Sequence, residues 1–136
     1  MKILFICRHN RFRSKSAEAI FNKLNKNKKV KAESAGFLLD EAHLYIEKSV
    51  LNILKDKGYS AKGLPRQLTR ELLDKFDVLV IVADNIDPAF FQDFKGKLIH
   101  WKVPDCSCED IPRIKEIIED IEKRVKLFVK RGMLMD

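Results

Sequence analysis

The sequence predicts an α/β fold, a three-layer sandwich with a central four-stranded parallel sheet, and three observations carry that prediction. Apolar runs alternate with helical stripes along the chain, the pattern of parallel strands joined by helical crossovers. The two clearest runs are continuously apolar rather than alternating apolar and polar, as in strands covered on both faces. No low-complexity segment, internal repeat or Pro/Gly/Ser-rich linker interrupts the pattern, so one domain over residues 1–136 is expected.

Each element follows from local pattern. Residues 2–6, with Ile3-Leu4-Phe5-Ile6, form the first predicted strand. Ala17, Ile20, Phe21 and Leu24 recur at helical spacing and predict the helix after it. Residues 30–35 read as the second strand. Ile46, Val50, Ile53 and Leu54 mark a second helix, and Gly58 suits its C-terminal cap. Val78-Leu79-Val80-Ile81-Val82 is the third strand and residues 97–101 are the fourth, with Trp101 read as core. The last helix carries Ile111, Ile114, Ile117, Ile118, Ile121, Val125 and Phe128 on one face.

Composition narrows the class. A chain of 136 residues with 46% hydrophobic content can bury one core. No apolar stretch approaches the ~20 residues of a membrane-crossing helix, so no membrane partner is expected. The apolar run after Lys2 is broken at Cys7, Arg8 and His9, too early for a signal peptide, and a cytoplasmic location is the expectation. Three cysteines, an odd number, fit free thiols in a reducing compartment. Lys and Arg total 27 against 20 Asp and Glu, a net +7 that fits anionic partners or simple solubility. The most basic stretch, residues 23–31, interleaves its five lysines with asparagines and has no stacking residue. It reads as a solvated helix end, and nucleic acid is not an expected partner.

Chemistry concentrates at Cys7-x5-Arg13-Ser14, directly after the first strand. Backbone N–H groups at a strand-to-helix turn, with the positive end of the helix, make an oxyanion cradle. The same field favours a thiolate, so Cys7 is a candidate nucleophile. Arg13 offers a planar fork of donors for two oxygens of a phosphate-like group. The carboxyl end of a strand near a topological switch point is where such sheets bind ligands.

The segment Cys7-Arg8-His9-Asn10-Arg11-Phe12-Arg13-Ser14-Lys15-Ser16-Ala17-Glu18-Ala19 resembles the loop of the low-molecular-weight protein tyrosine phosphatases and the related thioredoxin-coupled arsenate reductases. That family's pattern is Cys-x-Gly-Asn-x-Cys-Arg-Ser, then a helix opening with Pro, a hydrophobic residue and Ala-Glu. Cys7, Asn10, Arg13, Ser14, Ala17 and Glu18 stand in register with it. Ser34-Ala35-Gly36 and Arg66-Gln67-Leu68, the latter ahead of Leu72-Leu73-Asp74-Lys75-Phe76-Asp77, extend the likeness. Asp105 falls where the family places its Asp-Pro general acid.

The resemblance implies a flavodoxin-like strand order and cysteine-dependent hydrolysis of phosphomonoesters, of protein phosphotyrosine type, through a phosphocysteine intermediate. Cys7 would attack phosphorus, while Arg13 and the amides of Arg8, His9, Asn10, Arg11, Phe12 and Arg13 bind the phosphate oxygens. Ser14 would donate to the Cys7 sulfur, and Asp105 would serve as acid and then base. Asn10 and Ser34 would support the loop. The substrate would be a phosphorylated protein or a small aryl phosphate, with inorganic phosphate and other oxyanions as ligands. Neither metal nor cofactor is implied.

This chain also departs from the pattern. His9 replaces Gly, which strains the backbone if φ is positive there. Phe12 replaces the second loop cysteine. Asp105 is followed by Cys106, with Pro104 before it, so Asp110 and Glu109 are alternative acids. The aromatic residues that often follow the Asp-Pro are absent. Arg8 and Arg11 add positive charge at the rim, favouring dianionic or polyanionic substrates. Cys106 and Cys108 read either as ordinary loop thiols or as a redox pair that approaches Cys7 if their loop folds over it. The second case fits an arsenate reductase using Cys7 with Cys106 or Cys108 and a thiol reductant as partner. In the family, however, that pair falls near Val82-Ala83-Asp84-Asn85, where this chain has no cysteine. A catalytically weak phosphate- or phosphopeptide-binding module is the further alternative. His43 and His100 read as structural or exposed.

Overall fold

In the computed structural model, which describes residues 1–132, strand β1 (Lys2–Cys7) lies in the interior of the sheet, as its unbroken apolar run requires. The chain continues through α1 (Arg13–Leu24), β2 (Lys31–Gly36), α2 (Lys48–Asp56), α3 (Arg70–Leu73), β3 (Val78–Val82), a 3-10 turn (Pro88–Phe91), β4 (Lys97–Trp101) and α4 (Ile111–Lys130). All pairings are parallel, in the order β2-β1-β3-β4. This is the predicted four-stranded α/β sandwich. Residues 133–136, the end of the expected domain, lie outside the described residues.

The pleat sends successive side chains to opposite faces, and each face has its own core. Ile3, Phe5, Val78, Val80, Val82, Ile99 and Trp101 pack against α1, α2 and α4. Leu4, Ile6, Leu79 and Ile81 pack against Leu73 of α3, Phe76, Ile86 and Phe91. On the first face Phe5, Phe21, Trp101 and Phe128 form a cluster of tilted and edge-on rings, with centroids 5.7–6.4 Å apart. Trp101 is therefore core, as read from the sequence. Among the described residues no helix is long and apolar enough to cross a membrane.

The expected strands at 78–82 and 97–101 match β3 and β4, and the first two strands each run one residue further, to Cys7 and Gly36. Ile46 lies ahead of α2 as a buried residue at its entry. Gly58 takes a φ of 89° at the end of α2, and its N–H donates to the Lys55 carbonyl. That left-handed position is the cap expected of it.

The sheet order positions the site. From β1 the chain moves to β2 on one side, then crosses back over β1 to β3 on the other. The carboxyl end of β1 is therefore a switch point, where neighbouring connections diverge and leave a crevice. Cys7 is the last residue of β1 and pairs in register with Gly36.

Candidate active site

Residues 8–12 link β1 to α1 in a tight loop pinned from outside. The N–H groups of Phe37, Leu38 and Glu47 donate to the carbonyls of Cys7, Arg8 and Arg11 at 2.9, 2.9 and 3.2 Å. Among the described residues, none of the amides of residues 8–14 donates to a protein acceptor. The loop's acceptors are engaged outward, and its donors are kept for a ligand. Gly36 allows this closeness, because a Cβ there would stand 3.0 Å from the His9 carbonyl carbon and 3.1 Å from the Asn10 Cβ.

Asn10 organises the interior. Its φ of 57° is the one positive value at a non-glycine among the described residues, and asparagine tolerates that region better than most. His9 does not take up a left-handed backbone, so the strain expected there is absent. Its Nδ1 instead pairs with the Leu38 carbonyl at 2.7 Å and braces the loop. The fully buried Asn10 amide donates from Nδ2 to Ser14 Oγ at 2.7 Å and to Ser34 Oγ at 3.0 Å. Its Oδ1 accepts the Arg66 N–H at 3.0 Å. Since Nδ2 can only donate, both serine oxygens act as acceptors towards it. Ser34 sends its hydrogen to Glu18 Oε1 at 2.5 Å. Ser14 Oγ lies 3.0 Å from Cys7 Sγ, and its hydrogen is free to go to a thiolate there. With Cys7 as a thiolate, which only accepts, the network ends in a hydroxyl donating to sulfur.

Arg13 opens α1 and is only 1% exposed. Nη1 donates to the Val103 carbonyl at 2.9 Å and Nη2 to Asn85 Oδ1 at 3.2 Å. Asp84 and Asp105 each approach the guanidinium to 3.7 Å, with both carboxyls about half exposed. Two of the five guanidinium hydrogens are engaged by Val103 and Asn85, which leaves three for an oxyanion. Asp105 accepts the Cys106 N–H at 2.9 Å, which orients its carboxyl. Of the three acids read from the sequence, Asp105 is the one at Arg13. Asp110 caps α4, accepting the Arg113 N–H at 3.2 Å, and Glu109 is exposed.

Other expectations shift. Arg11 is not surplus rim charge. Its Nε donates to the Tyr45 carbonyl at 2.9 Å, its Nη1 pairs with Glu47 at 3.3 Å, and its guanidinium lies over the Tyr45 ring at 4.9 Å. It is a clamp that ties the segment around Tyr45 to the loop, its charge met by Glu47. Burial pushes the Glu47 carboxyl above its usual range, Arg11 pulls it back, and Asp105 adds to the rise. Phe12 is buried in the core against α1 and anchors the loop from beneath. His43 is exposed and bonded to Asp40, and His100 Nε2 pairs with the Ala83 carbonyl at 2.8 Å. Cys7, Cys106 and Cys108 are all free. Burial first, then the charges of Asp105 and Asp110, push the Cys106 thiol up, which keeps it protonated and a poor nucleophile.

Four contributors escaped the sequence reading. Asp84 and Asn85 lie two and three residues past the end of β3, and the rule that sites lie at the carboxyl ends of strands could have found them. Tyr45 and Glu47 had no local signal, since their partner Arg11 is more than thirty residues away. Together the site holds a buried sulfur with a hydroxyl donor, a cradle of amides, a guanidinium and a half-exposed carboxyl. Such a set can bind a tetrahedral oxyanion and displace a group from it.

The chain resembles known proteins in sequence and fold. Residues 2–132 match the family described as low molecular weight phosphotyrosine protein phosphatase. The low molecular weight protein-tyrosine-phosphatase YfkJ of Bacillus subtilis is 37% identical over 92 residues, which cover 63% of this chain and 59% of that protein. An arsenate reductase from Archaeoglobus fulgidus is 28% identical, with a TM-score of 0.75 over 94% of this chain and 98% of its own. A YwlE mutant from Bacillus subtilis shares the fold, with a TM-score of 0.83 at 22% identity over 98% and 99% of the two chains. With its loop, strand order and near full-length match, this chain belongs to the low molecular weight phosphotyrosine protein phosphatase family.

Proposed function

We propose that this protein is a cysteine-dependent phosphomonoesterase acting on protein phosphotyrosine or related aryl phosphates, through one domain spanning residues 1–136. The observation that carries the reading is the hydrogen-bonded line from Asn10 through Ser14 to the Cys7 sulfur, beside the buried guanidinium of Arg13. Cys7 Sγ attacks phosphorus, an S–P bond forms and the P–O bond to the leaving group breaks. The Asp105 carboxyl gives its proton to the departing oxygen. Water then attacks phosphorus, Asp105 takes up its proton, and the S–P bond breaks to release phosphate. Ser14 stabilises the sulfur anion as it leaves. Arg13 and the amides of residues 8–13 stabilise the charge on the equatorial oxygens. Exposed Leu38 and Tyr45, both tied to the loop by backbone contacts, supply the wall against which an aromatic leaving group rests.

The test is hydrolysis of an aryl phosphate and of a phosphotyrosine peptide. Cys7→Ser should abolish turnover of both and still bind inorganic phosphate. Full turnover in that variant would refute the reading.

The likeness to the arsenate reductase supports a second reading, thiol-dependent reduction of arsenate by Cys7 with Cys106 or Cys108. Two observations weigh against it: the Cys106 thiol is pushed up, and the stretch 82–85 carries no cysteine. Reduction that needs a thiol reductant and disappears in the Cys106→Ser/Cys108→Ser double variant would select it.

A further inference from the structure

Lys15 is a buried cation that the chemistry above does not use. Its side chain is 6% exposed, yet it sits in the first turn of α1, beside Ser14. A positive charge there is unfavourable twice, through lost hydration and through the like sign of the helix N-terminus. The ammonium has two partners. Nζ donates to the Lys62 carbonyl at 3.0 Å and lies 3.8 Å from Glu18 Oε1. That same Glu18 oxygen accepts the hydrogen of Ser34.

We propose that Lys15 is a positioning residue for the nucleophile: its ammonium holds the Glu18 carboxylate, which takes the hydrogen of Ser34 and so keeps the lone pairs of Ser34 on Asn10, the residue that holds Ser14 beside Cys7 Sγ. The inference rests on the reading of Cys7 as nucleophile. The direction follows from the chemistry of each link. An ammonium only donates and a carboxylate only accepts, so Ser34 must give its hydrogen to Glu18 and present its lone pairs to Asn10. Asn10 offers hydrogens on Nδ2 to both serines, and Ser14 donates its own hydrogen to the Cys7 thiolate, which only accepts. Without a held carboxylate, Ser34 can turn and move, and Asn10 loses one of the three partners that place its amide against Ser14.

The surroundings fit this role. Gly63 has a φ of 76°, and a Cβ there would lie 3.6 Å from Nζ, so the backbone of residues 62–63 closes over the ammonium. Burial lowers the Lys15 pKa, Glu18 and Cys7 oppose that, and Arg66 adds to it. The ammonium therefore senses the charge of Glu18 on its own helix, of Cys7 at the end of β1, and of Arg66 beyond the 62–63 turn.

The experiment compares alkylation of Cys7 by iodoacetate, at fixed pH and with inorganic phosphate as protectant, in the wild type, Lys15→Met, Lys15→Gln, Ser34→Ala and Lys15→Met/Ser34→Ala. Each variant is checked by thermal melt. Both Lys15 variants should slow alkylation roughly two- to hundredfold, the range of coupling within one hydrogen-bond network. In the Ser34→Ala background Lys15→Met should add nothing, because the chain is already cut. Wild-type rates in folded Lys15 variants, or an undiminished effect of Lys15→Met in Ser34→Ala, would overturn the proposal by making Lys15 a structural tie. If wild-type Cys7 is not alkylated, or phosphate does not protect it, the reading of Cys7 fails and takes this inference with it.

Discussion

The loop at residues 8–12 and the segment at 104–110 meet at Arg13, and they are held in place by different means. In the first, Asn10 and Phe12 are buried, and the side chains of Asn10, Ser14 and Ser34 bond one another from within. In the second, Asp105 is 46% exposed and is held by one backbone N–H and a 3.7 Å ion pair. The difference matches the tasks. Charge develops at the same oxygens whatever the substrate, so its stabilisers gain from being fixed beforehand. A proton donor must meet leaving groups of different shape, and a half-exposed carboxyl on a lightly held loop can do so.

If that contrast is right, Asp105→Asn should lower kcat on phenyl phosphate by about a hundredfold or more, as expected of a general acid. The loss should shrink for p-nitrophenyl phosphate, whose leaving group needs less help. Equal losses on the two esters, measured in steady state, would contradict the assignment. The loop should respond in stability as well as in rate. Asn10→Ala removes three hydrogen-bond partners and puts a less tolerant residue at φ 57°, so a loss of about 2 kcal/mol or more is expected in denaturant unfolding.

Asp110→Ala separates the two acids of the second segment. It should cost about 1 kcal/mol through loss of the α4 cap and leave kcat within twofold, roughly. A kcat loss like that of Asp105→Asn would move the acid to Asp110.

The smallest effect concerns Glu47, which joins the two regions through Arg11 and the charge of Asp105. Its pKa is raised above 4.5 by burial, and Oε2 is buried without a hydrogen-bond partner. The folded state therefore holds this proton more tightly than the unfolded chain does. The stability this gives is present below the ordinary value and is lost as pH rises through the raised one. Thermal melts should show Glu47→Gln gaining on the wild type as pH rises from the ordinary carboxylate range through the raised value. A pH-independent difference would refute it.

What could be read in the sequence was local. The bounds of β3 and β4 follow from five-residue apolar or half-apolar runs, and the cradle follows from Cys7, Arg13 and Ser14 within one turn of chain. The helix α3 and the turn at Pro88–Phe91 were missed because four residues are barely one helical turn, too short for a period to show. The left-handed residue of the loop could be narrowed to His9 or Asn10, and only backbone geometry separates them. Arg11 looked like rim charge because its partners Tyr45 and Glu47 come from another loop. Their meeting depends on how residues 37–47 fold back over the end of β1, which no short-range pattern records.

Arg13 shows what such distant partnership entails. Its guanidinium is oriented by Val103, ninety positions along the chain, and by Asn85 at the end of β3. A chain whose β4 has not docked owns the cysteine, the loop and the arginine, yet lacks the groups that aim the arginine. Tight phosphate binding is then a property of the completed sheet, and phosphate shifts the folding equilibrium towards that state alone. The same anion that the site holds also acts as a proofreader of its assembly.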